Sequence, residues 1–317
     1  MLRFAKTVLC ACFGIVLASG VSGQTAQPAV EEIVKQAGVQ RLAYVSEFRN
    51  LLSEETKTFE TFDKSGKVKK KRMVKSVFVI YQLSKDEKQI AEYRNVISVD
   101  GKPLEKTEQR AQDFFEKIAS VESTKKELER IQDESSRFDD DISMEGFTLF
   151  QSAPLAENLR PFFDFKLEGQ EMIDGAMVYR VSYRQVRDSP YVLINSKDDG
   201  TSDKLTLNYS SDFKPGENLN QRLAGTLWID GETFQTRREI RSISVKPKDF
   251  DVPIILAENI FEYQNSDFGI LTPRKISYTE YRVDRNKPSA KQIQVTFDYE
   301  RFTRPDVDVK SGDVKQP

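Results

Sequence analysis

The 317-residue chain contains no histidine, and its two cysteines, Cys10 and Cys12, both fall within the first twelve residues. That opening stretch has the three-part layout of a secretory signal peptide: a basic start at Met1 to Lys6, an apolar run from Thr7 to Ala18, and small residues from Ala18 to Gly23. Removal of residues 1–23 takes both cysteines with it and leaves 294 residues without thiol or imidazole. Disulfides, thiolate nucleophiles, thiolate metal sites and every constellation that needs a histidine are thereby excluded, so no catalytic residue, metal or cofactor is expected. Long hydrophobic runs are missing too: the leader is too short to span a bilayer, and no later segment approaches the ~20 apolar residues a membrane helix requires. Leu17-Ala18-Ser19-Gly20 is followed by Val21 where a lipoprotein would carry its acceptor cysteine. The expectation is a soluble exported protein of the periplasm without a lipid anchor.

Charge of one sign is also scarce. Loss of Arg3 and Lys6 leaves 46 basic residues against 50 acidic ones, a formal charge of −4. Signs so interspersed give no long-range attraction for nucleic acid or an anionic membrane. The run Lys67-Val68-Lys69-Lys70-Lys71-Arg72 shortly precedes the apolar Val77 to Tyr81 and reads as the solvated end of a long strand.

What is present is mostly strand. Pro28 followed by Ala29 to Ala37 reads as a short helix, with Val30, Ile33, Val34 and Ala37 on one face. Thr58 to Phe62, the turn Asp63 to Gly66, and the run through Tyr81-Gln82 form a hairpin; Glu92 to Val99 ends in Asp100-Gly101, a strong turn signal. From Leu104 to Ile131 the apolar positions fall at threes and fours, which predicts one long amphipathic helix carrying Phe114, Phe115 and Ile118, either core packing or a lid. Gln132 to Asp141 reads as a loop. From Phe163 onward strands and turns alternate: Phe163 to Leu167, Asp174-Gly175, Met177 to Tyr183, Lys204 to Tyr209, Leu223 to Ile229, Phe234 to Ser244, Ile254 to Tyr263, Ile276 to Val283 and Ile293 to Phe302. Polar stretches at Asn195 to Asp203 and Asp212 to Asn220 are loops, and the charged end 304–317 reads as a disordered tail.

Ile293, Val295, Phe297 and Tyr299 alternate with Gln292, Gln294, Thr296 and Asp298, the pattern of a sheet with one dry face. About ten such strands joined by tight hairpins must curl, because a sheet of that size twists until it closes, splits or wraps around something. The expected fold is therefore α+β and mainly β: one domain over 24–303, a large curled antiparallel sheet or half-open barrel, with helices on its concave side. Phe163, Phe165, Trp228, Phe261, Tyr263, Ile293, Val295 and Phe297 are the candidates for a greasy inner surface, either ordinary core or the walls of an apolar groove. Arg237 and Arg238, with Arg241 beyond them, are rim candidates for a phosphate or carboxylate.

The stretch Gly225-Thr226-Leu227-Trp228-Ile229-Asp230-Gly231-Glu232-Thr233-Phe234-Gln235-Thr236-Arg237-Arg238 resembles a recurring hairpin of the outer-membrane lipoprotein carrier superfamily, the LolA/LolB-like half-open barrels. Leu271-Thr272-Pro273-Arg274-Lys275-Ile276 is similar to the same superfamily's habit of opening a strand with Pro and then basic residues, and Asn95 to Leu104 with Phe165 to Tyr183 resemble exported bacterial relatives. The resemblance is best over 163–302. It implies a concave apolar surface that takes acyl chains beneath movable helices.

Catalytic signals are thin. Asp139-Asp140-Asp141, Asp198-Asp199 and the Glu258/Glu262 pair supply acids for a carboxylate hydrolase, but 50 acids produce such clusters by chance. Asn195 to Gly200 imitates a calcium loop, yet Lys197 takes a ligand position and Thr206 stands where the bidentate Glu belongs. The carboxylate hydrolase stays open, to be promoted by a cleft with two facing acids at glycosidase separation, and two further expectations remain for the structure to address. One is a monomeric, non-enzymatic carrier of an acyl chain, lipid or lipidated polypeptide in the envelope. The other is a scaffolding envelope protein with a filled interior that docks another protein.

Overall fold

A computed structural model describes residues 28–83, 86, 89–139, 147–194, 205–207, 221–246, 253–284 and 287–304. The leader, the Asn195 to Lys204 and Asn208 to Asn220 stretches, Asp140-Asp141 and the tail beyond 304 lie outside those residues.

Helix α1 spans Val30–Glu47, ten residues past the predicted end. Glu31 and Glu32 lie in its first turn, where the helix dipole favours them. The apolar face Ile33, Val34, Ala37 continues through Tyr44 to Phe48 at helical spacing, which is why the helix does not stop at Ala37. Strands β1 (Leu52–Phe62), β2 (Val68–Gln82), β3 (Ile90–Val99) and the two-residue β4 (Lys102–Pro103) follow. Then come helices α2 (Thr107–Ala119) and α3 (Thr124–Ser135) and three 3₁₀ turns at Phe147–Phe150, Ala153–Leu155 and Arg160–Phe162. Strands β5 (Phe163–Ile173), β6 (Ala176–Gln185), β7 (Val192–Ile194), β8 (Leu205–Leu207), β9 (Arg222–Asp230), β10 (Thr236–Val245), β11 (Ile254–Gln264), β12 (Thr272–Asp284) and β13 (Lys287–Tyr299) complete the chain.

Eleven of these strands form one sheet in the order β4-β3-β2-β1-β13-β12-β11-β10-β9-β6-β5, antiparallel throughout, while β7 and β8 pair parallel to each other. The two-residue turns Asp100-Gly101 and Asp174-Gly175 have positive φ at both positions, 50° and 76° in one and 49° and 81° in the other, the hairpin geometry that matches strand twist. Residues from β1, β2, β3, β5, β6 and β9 to β13 all enter one buried cluster together with α1. The sheet therefore curls round a shared core without closing, since β4 and β5 at its two ends do not pair. The expected half-open antiparallel sheet is present. No helix among the described residues is long and apolar enough to cross a membrane.

The long helix expected over Leu104 to Ile131 is two helices. The chain breaks at Ser120–Ser123, where Val121 is buried and the Ser123 side chain accepts from the Lys126 N–H to cap α3. The loop expected from Gln132 begins only after Ser135. This side chain is one turn beyond buried Ile131 on the same face; its Oγ accepts from Arg94 N at 3.1 Å and donates to Glu92 O at 3.2 Å, extending the helix along β3. Leu104 N and the Arg110 guanidinium also bond to carbonyls of β3. One edge of the sheet is thus covered by β4 and the helix pair. At the other edge, no strand among the described residues pairs with the outer side of β5.

Candidate functional site

At that second edge, the first turns of α1 stand over the start of β5 and the end of β6. Between them lies a groove of about 1160 Å³. Val30 and Val34 of α1 face Phe163, Phe165 and Tyr183, whose rings touch with centroids 5.8 to 6.4 Å apart. The polar lining residues are the basic Lys35, Arg160, Lys166 and Arg184, the acidic Glu31 and Asp164, and Ser182; strand alternation puts the Asp164, Lys166, Ser182 and Arg184 side chains on the face of the hairpin opposite the three rings, so they border the groove from outside. Asp164 pairs with Arg184 at 3.3 Å and Lys166 with Glu168 at 3.1 Å, which leaves Lys35 and Arg160 against Glu31 beside the apolar wall. Such a groove fits an amphiphile with an anionic head.

Of the eight greasy-surface candidates, only Phe163 and Phe165 line this groove. Phe261, Tyr263, Val295 and Phe297 are core, none more than 3% exposed, and Ile293 packs half-buried against them. Two of those rings instead seat buried cations: Arg241 lies 4.8 Å from the Phe261 centroid, and Lys57 5.4 Å from that of Phe297. Trp228 alternates with core residues Leu227 and Ile229 and so faces the opposite side, between Arg238, 5.0 Å from its ring, and Glu171, which accepts from its indole N–H.

The rim residues named from sequence are also elsewhere. Arg238 is occupied with Trp228, and Arg237 donates to Asp230 at 2.6 Å in the β9–β10 turn. Burial raises the Asp230 carboxyl, but the N–H groups of Thr233 and Glu232 and the Arg237 guanidinium outweigh it and hold it below the ordinary carboxylate range. The basic rim belongs to Lys35, Arg160, Lys166 and Arg184. Nor are Phe114, Phe115 and Ile118 a lid over the inner surface. They form a second cluster with Tyr81, Leu83, Ala91 and Tyr93 on the reverse face of β2 and β3, where Phe114 stacks on Tyr93 at 5.2 Å. Helical spacing identifies an apolar stripe but not which side of a sheet receives it.

The feature that residue-type reasoning missed is a set of ion pairs inside the curl. Three strands carry an acid and a base two residues apart on the inner face: Glu55 and Lys57, Glu92 and Arg94, Glu239 and Arg241, each 6% exposed or less. Arg94 bridges Glu55 at 2.7 Å and Glu92 at 3.0 Å. Burial alone would lower its pKa, but the two carboxylates raise it well above the usual value.

These charges hold the backbone of 148–152, in a segment that stays buried through Ala156 and must find hydrogen-bond partners in the core. Glu92 accepts from Thr148 N at 2.9 Å and Thr148 Oγ1 at 2.7 Å, while Tyr44 donates to Thr148 O at 2.8 Å. Arg241 donates to Phe150 O at 2.9 Å, Arg41 to Gln151 O at 3.1 Å, and Ser152 N to Glu239 at 3.0 Å. Gly38 lets α1 come this close, since a Cβ there would sit 3.2 Å from Leu155 O. The segment is a plug, bonded on every side. A signal for it existed in the repeated Glu-x-Lys/Arg alternation within otherwise apolar strands. Among the described residues no group of three or more Asp or Glu is placed to hold a metal.

No protein-family model matches the chain, and no curated protein matches it. Among solved structures, the chain is similar to a DUF1329 family protein from Desulfovibrio piger, at 13% identity over 90% of this chain and 96% of that one, with a TM-score of 0.35. It is also similar to a putative outer membrane lipoprotein-sorting protein domain from Vibrio parahaemolyticus, at 6% identity over 89% and 95% with a TM-score of 0.36. A third is a LolA superfamily protein from Nitrosomonas europaea, at 10% identity over 89% and 96% with a TM-score of 0.29.

Proposed function

We propose that the protein is a non-enzymatic carrier of the cell envelope that holds an acyl chain, a lipid or the lipidated end of a polypeptide in the groove between α1 and the β5–β6 hairpin. The observation that carries the reading is the groove itself: an apolar wall of Val30, Val34, Phe163, Phe165 and Tyr183 beneath a basic rim. Each methylene moved from water onto that wall contributes roughly 0.8 kcal/mol, so a single chain suffices for useful affinity. In this reading residues 1–23 are removed on export to the periplasm, 24–303 act as one domain and 304–317 are a tail. No nucleic acid, cofactor or metal takes part.

Protein purified from its own envelope should show co-purifying lipid by native mass spectrometry, and lipid-stripped protein should take up a fluorescent fatty acid. A clean apo mass with no uptake would remove the proposal. The plug favours a second reading, since an interior filled by the chain's own 148–156 suits a scaffold that docks another protein and holds no guest. Failure of lipid uptake by folded protein would select it.

A further inference from the structure

We propose that the edge of β5 with which no strand among the described residues pairs is a self-complementary docking strand, and that two copies of the chain join there across a two-fold axis at Phe165 into one continuous sheet. The inference concerns assembly and does not rest on lipid binding.

The backbone is set for it. Val186 N donates to Phe162 O at 3.0 Å just beyond the first pair of the β5–β6 ladder, which sets the phase of the ladder's hydrogen bonds. Pairs alternate along an antiparallel ladder, and the register Phe163↔Gln185, Phe165↔Tyr183 and Leu167↔Val181 therefore turns the N–H and C=O groups of Phe163, Phe165 and Leu167 outward, toward the unpaired edge. With the axis at Phe165, that residue meets itself, and Phe163 of each copy meets Leu167 of the other. All three carry outward-pointing backbone groups and apolar side chains on the inner face.

The side chains select that register. On the outer face it sets Asp164 of each copy opposite Lys166 of the other, two opposite-charge cross-strand pairs. An axis at Lys166 would oppose lysine to lysine and Asp164 to Glu168, and one at Asp164 would oppose aspartate to aspartate. An axis at Leu167 would spend Phe165 on Gly169 at the β-bulge and Phe163 on Glu171. Asp164 and Lys166 are now engaged in exposed pairs, with Arg184 at 3.3 Å and Glu168 at 3.1 Å. Exposed pairs of this kind are weak and readily exchanged. Phe165 lines the groove, so the axis brings the two grooves together along one seam.

The test is sedimentation equilibrium of the purified full chain with charge-reversed variants. The expected result is a concentration-dependent dimer whose dissociation constant rises about tenfold in D164K and again in K166D, and returns in the double reversal D164K/K166D. The cysteines of the chain are confined to Cys10 and Cys12, so F165C in a C10A/C12A background offers a single thiol that should cross-link across the axis with a short bis-maleimide, while D174C at the hairpin turn should not. A monomer at every concentration, a dimer indifferent to the single reversals, a double reversal that fails to restore it, or equal cross-linking of F165C and D174C would each overturn the proposal.

Discussion

Tyr183 donates its phenolic hydrogen to Glu239 at 2.9 Å, and it reaches that carboxylate by passing over Gly225, where a Cβ would lie 2.5 Å from the tyrosine oxygen and 2.0 Å from Ile240 O. The contact ties the wall of the groove to the plug, because the other oxygen of Glu239 accepts from Ser152 N. Burial and the neighbouring Glu239 raise the Tyr183 pKa well above 10, so the hydroxyl remains a donor across the accessible pH range. Gly225→Ala should therefore cost about 3 kcal/mol through overpacking, and Tyr183→Phe about 1 kcal/mol through loss of one of the two hydrogen bonds to that carboxylate oxygen, which keeps the Arg241 guanidinium as a donor. Urea unfolding monitored by Trp228 fluorescence measures both, and a G225A protein of unchanged midpoint would contradict the packing described.

The Glu55–Arg94–Glu92 triad yields a sharper contrast. Arg94→Met leaves two carboxylates facing each other in the core, and the expected loss is about 3–5 kcal/mol. Lys57 and Asp139, 2.6 Å apart, are different. Burial, with Arg94 adding repulsion, lowers the lysine pKa, and burial raises that of the aspartate, so both groups are held in their charged forms at a cost. Replacing both together by Lys57→Met and Asp139→Leu is expected to be neutral or stabilising, whereas either change alone is destabilising. A double-mutant cycle in denaturant checks this, and additive losses would refute it.

Asp230 supplies a pH signature. Its carboxyl is depressed in the folded chain relative to the unfolded value of about 3.9, so its contribution to stability is complete above that value and disappears as pH falls through the folded pKa. Asp230→Asn should be less stable than the parent at pH 7 and should lose less on acidification below about pH 4. Thermal melts at pH 7 and pH 3 give the comparison; identical pH slopes for the two proteins would disprove it.

The sheet was legible because its signals are local. Asp100-Gly101 and Asp174-Gly175 need positive φ that few other pairs supply, and Ile293, Val295, Phe297 and Tyr299 alternate at the period of a strand with one wet face. The break between α2 and α3 was not, since Phe114 to Ile131 keeps helical spacing across Ser120–Ser123, and a buried Val121 looks the same in either reading. The plug was hidden for a deeper reason. The stretch between Asp141 and Phe163 falls between the helix and strand patterns, and charged residue types such as Glu92, Arg94, Glu239 and Arg241 carry no mark of a core position, because each is buried only by virtue of the others. For the same reason the groove candidates were too many: residue type marks Phe163 and Phe297 alike as apolar, and only the position of β5 at the sheet edge separates them.

That separation can be measured. If a guest occupies the edge groove, Val30→Glu puts a carboxylate on its apolar wall and Lys35→Glu reverses the charge at its rim, and each should weaken binding of a fluorescent fatty acid about tenfold or more while leaving the melting temperature within a few degrees. Phe297→Leu should do the converse, lowering stability by about 1 kcal/mol and leaving affinity unchanged, because Phe297 is fully buried beneath Lys57 and Arg94 and lines no part of the groove. Phe115→Ala belongs with Phe297→Leu: it loosens α2 on the reverse face of β3 and should not alter uptake, whereas a lid would have changed it. Affinity that follows Phe297 but ignores Val30 and Lys35 would place the guest inside the curl, displacing the plug, whereas affinity that follows Phe115 would move the site to the reverse face of β2 and β3.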